Sequence, residues 1–198
     1  MNLVKLSWSY LKAKPFSTLL SLVLVALGVS LTSILLLINS QFQDRLYRNI
    51  EGINLVIAAK GSPLQMILSS VYHIDAPTGN IPLDKTKWLR KSRYLEKAIP
   101  LALGDSYKSH RIVGTDTSYT NHYSAEVAEG KLWENEMEAT VGALVARRLG
   151  LKIGDTFHGA HGLIDDGMHV HDNHSYKVVG ILKKNGTVLD QLILTSVE

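Results

Sequence analysis

No cysteine occurs among the 198 residues, which excludes disulfide staples and leaves no thiolate to act as nucleophile or metal ligand. No Gly-x-x-x-x-Gly-Lys-Ser/Thr run is present, so nothing in the chain forms a phosphate-binding loop for a nucleotide. The serines nearest a histidine in sequence, Ser62, Ser69 and Ser70 before His73, lack a Gly-x-Ser-x-Gly elbow and read as helix caps and surface. An enzymatic role is therefore not expected. Acidic residues are missing from the N-terminal arm. Its Lys5, Lys12 and Lys14 account for the whole formal charge of +3, and the remaining eighteen basic residues match the eighteen acids. A pI near 9.0 is thus no nucleic-acid footprint, which would need a basic patch on the folded domain.

Ser17 to Ile38 is an uncharged run of twenty-two residues. As a helix rising 1.5 Å per residue it covers roughly 33 Å, enough for the roughly 30 Å hydrocarbon core of a bilayer. It is longer than the apolar part of a cleaved signal. The lysines before it place the N-terminus in the cytoplasm and residues 41–198 outside. The expected division is a basic interfacial arm over 1–16, a transmembrane helix over 17–40, a helical stalk over 41–53 and a core domain over 54–198. Ala26, Gly28 and Ser30 form a small-residue patch where another helix could approach.

Within the core domain, 54–60 reads as a buried strand. Ser62 and Gln65 have capping-box spacing around Pro63, and Leu64, Ile67, Leu68 and Val71 give a helical apolar face. A loop over 73–82 and a short helix capped by Asp84 follow. Strands are expected over 97–103, 109–114, 139–142 and 151–157, and a helix over 143–149 stopped by Gly150. Residues 116–123 read as a loop or short helix. The segments 176–182 and 188–194 read as a hairpin about Asn185-Gly186. Short strands mixed with short helices favour an α+β class over a doubly wound sheet.

The basic arm and single span, AAKGSPLQ at 58–65, GALVARRLGLKIGDTF at 142–157 and VVGILKKNGTVLDQ at 178–191 together resemble the N-terminal part of an FtsX-like ABC transporter permease. That class includes macrolide-exporter and lipoprotein-release permeases. The resemblance implies a bacterial inner-membrane location with a periplasmic core domain. Three further membrane helices would follow the domain, so the sequence is expected to be an N-terminal fragment. It also implies a cytoplasmic ABC ATPase partner that binds the ATP, contact with membrane lipid, a homodimer or second permease, and a periplasmic adaptor. The expected task is to turn ATP hydrolysis into periplasmic domain motion that exports or releases a lipophilic or peptide cargo. No nucleic acid is expected as a partner.

His158, His161, His169, His171 and His174 place five of the eight histidines in seventeen residues, among Asp165, Asp166 and Asp172. Imidazole and carboxylate are ligands that Zn²⁺ accepts without thiolate, so these histidines are the candidate metal ligands. The alternative is a Gly-rich loop that tolerates them. Two further function classes stand beside the permease: a single-span anchored periplasmic binding protein for a divalent metal, and a structural adaptor without a ligand.

Overall fold

The computed structural model describes residues 3–161 and 170–197. The chain divides into two compact units, Met1–Tyr47 and Arg48–Glu198. The first contains α1 (Leu3–Ala13) and most of α2 (Pro15–Ile50). Pro15 stands at the start of α2, where a missing N–H leaves no helical bond unmade. None of the residues of α2 is buried, and the helix is long and apolar enough to cross a membrane. It continues without a break through 41–50.

The second unit is mixed α+β. Its elements are α3 (Pro63–Ser70), α4 (Leu83–Arg90), β1 (Ala102–Tyr107), β2 (His110–Thr115), α5 (Thr117–His122), β3 (Val127–Gly130), β4 (Glu138–Val141), α6 (Ala143–Leu149), β5 (Thr156–His161), β6 (Val170–Leu182) and β7 (Ile193–Ser196). A 3-10 turn, Val188–Gln191, precedes β7. The strand order is β3-β6-β4-β7-β2-β1-β5, and β5 also pairs with β6. Six strands therefore close into a ring, with β3 attached to the far half of β6. Pairs β2–β7 and β4–β6 are parallel, and the others are antiparallel.

Strand alternation divides the apolar residues between two clusters. Ile112, Val178 and Ile193 join Ala139, Val141, Phe157 and the α6 residues Val145 and Ala146. Their neighbours Val113 and Leu194 join Tyr119, Tyr123, Trp133, Leu182, Leu189 and Leu192. The helix α6 ends at Gly150, whose φ of 68° is left-handed as its stop position demands.

Several strand boundaries depart from the sequence reading. Residues 54–60 form no strand, and Leu55 and Ile57 are exposed. Over 97–103 only Ala102 and Leu103 enter β1, Pro100 having no N–H to give a ladder. Residues 151–155 form a turn in which Asp155 Oδ2 accepts from Lys152 N at 2.8 Å, so β5 starts at Thr156. The 176–182/188–194 hairpin does not form. The chain instead crosses from β6 to β7, which lies between β2 and β4. In α3, Ser62 makes no side-chain cap bond, Gln65 Nε2 donates to Ala76 O at 3.2 Å, and Leu64 and Ile67 are exposed while Ser69 is buried. Asp84 lies in the first turn of α4 without capping it, the N-cap being Pro82. Over 116–123 the outcome is α5, with Asp116 Oδ1 accepting from Ser118 N at 3.0 Å.

Gly180 is the closest approach in the ring, since a Cβ there would lie 1.9 Å from Lys131 O. Gly180→Ala is expected to destabilise the unit by about 1–3 kcal/mol through overpacking against backbone, lowering Tm by several degrees. Gly104→Ala, with nothing within 4 Å of the added carbon, serves as the control for a thermal melt and should change Tm far less.

Candidate coupling site

The second unit begins with the last turn of α2, Arg48–Ile50, and this turn is tied to the ring at two points. Asn49 Oδ1 accepts from Val188 N at 3.0 Å, and Asn49 O accepts from Tyr123 OH at 2.9 Å. The first bond reaches the 3-10 turn before β7, the second the end of α5.

The receiving loop is itself bound tightly. Asp190, 2% exposed, accepts from Asn185 N at 3.0 Å and from Gly186 N at 2.9 Å. Asn185 Oδ1 accepts from Thr187 Oγ1 at 2.7 Å, and Asn185 Nδ2 donates to Tyr123 O at 3.3 Å. Gly186 has φ 77°, and a Cβ added there would meet the Arg48 guanidinium at 3.1 Å. The Asn185-Gly186 pair thus makes a tight turn, as its residue types demand, but a carboxylate rather than a returning strand closes it.

From Tyr123 the contacts continue inward. Its ring meets Tyr119 edge-on at 5.4 Å, and Tyr119 OH lies 2.7 Å from His73 Nε2. His73 is buried with φ 55°, at the turn that follows α3. Buried Arg111, on β2, fastens that turn by donating from Nε to His73 O at 2.9 Å and from a terminal nitrogen to Asp75 O at 2.5 Å. Burial, reinforced by the Arg111 charge, pushes the His73 pKa down to about 3, so its imidazole is neutral. Burial likewise raises the Tyr119 and Tyr123 hydroxyls, which stay protonated as donors.

Sequence reasoning missed Asn49, Tyr123, Asp190 and His73 as members of one network. The available signal was the Asn-Gly-Thr run with an acid following at Asp190, a side-chain-bonded turn. Nothing in the sequence pairs His73 with Tyr119.

The histidine candidates are distributed differently from a loop. His158 and His161 lie on β5, and His171 and His174 on β6. These strands pair antiparallel, with His158 opposite Ser175. His158 is exposed. His169 lies outside the described residues, as do the side chains of His161, His171 and His174. Among the described residues no group of three or more His, Asp or Glu side chains is placed to hold a metal ion.

Residues 18–197 match the family model described as MacB-like periplasmic core domain. No curated protein matches. Among solved structures, the chain is similar to the extracellular domain of the noncanonic ABC-type transporter YknZ from Gram-positive bacteria. That match has 12% identity and a TM-score of 0.41, and covers 59% of this chain and 62% of that one. It is also similar to the periplasmic region of MacB from Actinobacillus actinomycetemcomitans, at 12% identity and TM-score 0.45, over 75% of this chain and 70% of that one.

Acid should expose the His73 arrangement. Between pH 6.5 and about 3 the unfolded chain binds a proton at this histidine that the folded chain does not. Stability therefore falls as pH drops through that window, by about 1.4 kcal/mol per unit from this group alone. His73→Asn, which tolerates the left-handed backbone, should lower stability at neutral pH yet flatten the slope between pH 4.5 and 6.5. Urea melts across that range give both quantities; an unchanged slope would remove His73 from the account.

Proposed function

The chain belongs to the MacB-like periplasmic core domain family, and on that premise we propose that it is the N-terminal part of an FtsX-like ABC transporter permease subunit. In this reading α2 anchors the protein in the bacterial inner membrane, and residues 41–198 stand in the periplasm. A cytoplasmic ABC ATPase partner supplies the energy. The cargo exported or released is lipophilic or peptidic. A second permease copy and a periplasmic adaptor complete the assembly.

The observation that carries this reading is the double tie at Asn49. A helix that transmits movement must end in bonds that do not slip, and Asn49 is held through both its side chain and its backbone carbonyl. Asn49→Ala leaves Val188 N–H without its acceptor in a buried setting, a loss of about 1–3 kcal/mol. In the full permease copurified with its ATPase, this change should leave ATPase binding intact and lower cargo-stimulated hydrolysis severalfold. Failure of the full-length protein to copurify with any ATPase would overturn the class. Wild-type coupling in Asn49→Ala would overturn the role of the tie.

The pairing of β5 with β6 favours a second reading, because it gathers four of the five candidate histidines onto one strand pair. Here the domain of an anchored protein binds Zn²⁺ through His158, His161, His169, His171 and His174. Affinity should weaken as pH falls below about 6.5, where protons compete for imidazole. Calorimetric titration with Zn²⁺ tests it: a variant with alanine at 169, 171 and 174 should lose binding, and equal affinity in that variant would dismiss the site.

A further inference from the structure

Residues 54–58 and 97–101, parts of the stretches 54–60 and 97–103 that the sequence marks as strands, take no part in the sheet. Both line one groove of about 1200 Å³ in the second unit, which Ile112, Tyr176 and Thr195 of the ring also line. Residues 54–58 make no backbone hydrogen bond among the described residues, and over 97–101 Pro100 O accepts from Thr115 Oγ1 at 2.8 Å. Exposure alternates along the first stretch, with Leu55 and Ile57 exposed and Val56 and Ala58 half-buried, as in a strand that has one partner face and lacks a neighbour. Only Glu96, Lys97 and Asp105 among the lining residues carry a formal charge.

These features specify an occupant. An occupant that covers these amides and carbonyls removes their water and must offer hydrogen-bonding partners at regular spacing, which a hydrocarbon chain does not supply and another polypeptide backbone does. A wall whose charges are confined to Glu96, Lys97 and Asp105 suits a largely uncharged segment, since an ion buried away from those three would find no counter-charge. We propose that this groove accepts an uncharged stretch of polypeptide, which adds as a strand to the backbone of residues 54–58 and places side chains against Leu55 and Ile57, the exposed residues of that stretch. The site stands independently of the coupling tie and of any ATPase.

Strand addition has a signature that simple apolar adsorption lacks: a bound strand uses the amides along one of its edges only. The full chain in lipid nanodiscs is titrated against a fluorescein-labelled octapeptide of alternating valine and threonine, read by polarisation, with empty nanodiscs subtracted. Two further peptides carry N-methyl groups on all the valines or on all the threonines. One N-methylated form should bind like the parent and the other about tenfold more weakly or worse. Equal binding of all three peptides, or binding no greater than to empty nanodiscs, overturns the proposal. Ile57→Glu places an unpaired charge in the groove and should reduce parent-peptide affinity about tenfold, while circular dichroism stays unchanged because no intramolecular bond at 57 is lost. Peptide affinity unchanged in Ile57→Glu also overturns it, as does displacement of the peptide by dodecanoic acid with equal effect on all three forms.

Discussion

The strand β6 is long enough to have three partners, and the second unit is assembled around that fact. Its first half pairs with β5, its second half with β3, and its opposite edge with β4. Because β5 also pairs with β1, the thirteen residues of β6 close the sheet on itself. Closure requires backbone to pass very near backbone, and Gly180 supplies the space beside Lys131 O. A Gly in a strand interior ordinarily weakens it; here the missing side chain is what lets the neighbouring segment lie against the strand.

Closure also explains which parts of the fold were legible in the sequence. Local rules located α6 and its Gly150 stop, the Pro63 start of α3, and the helical continuation of the apolar run through residue 50. These depend on caps, on proline's fixed φ and on periodicity, all of which act over a few residues. Edge availability is not local. Residues 54–60 have the composition of a strand and remain outside the sheet. Of the 188–194 segment only Ile193 and Leu194 enter, at the start of β7 between β2 and β4 rather than beside β6. Strand propensity records a preference for a pleated, half-buried surface without naming the neighbour.

The coupling site was less legible for the same reason. Asn49 lies 139 positions from its partner Val188, and His73 lies 46 from Tyr119. No spacing rule reaches across such separations. Asn185-Gly186 did announce a tight turn, yet the residue types alone did not distinguish a hairpin from a loop closed by Asp190. The histidine-rich region drew attention through density, and the backbone shows four of those positions on paired strands, a context that composition does not encode.

A ring of strands has a mechanical character that an open sheet does not. Sliding one strand by a single residue would turn its side chains to the opposite face, and in a closed ring the neighbours on both sides would have to follow. Shear is thereby suppressed all the way around the circumference, and the soft deformation left to such a body is rotation as a whole. Asn49 bonds to the turn preceding β7, and β7 sits between two paired strands rather than at a loose margin. A load placed on β7 would be shared by β2 and β4 on either side of it before any strand could slip.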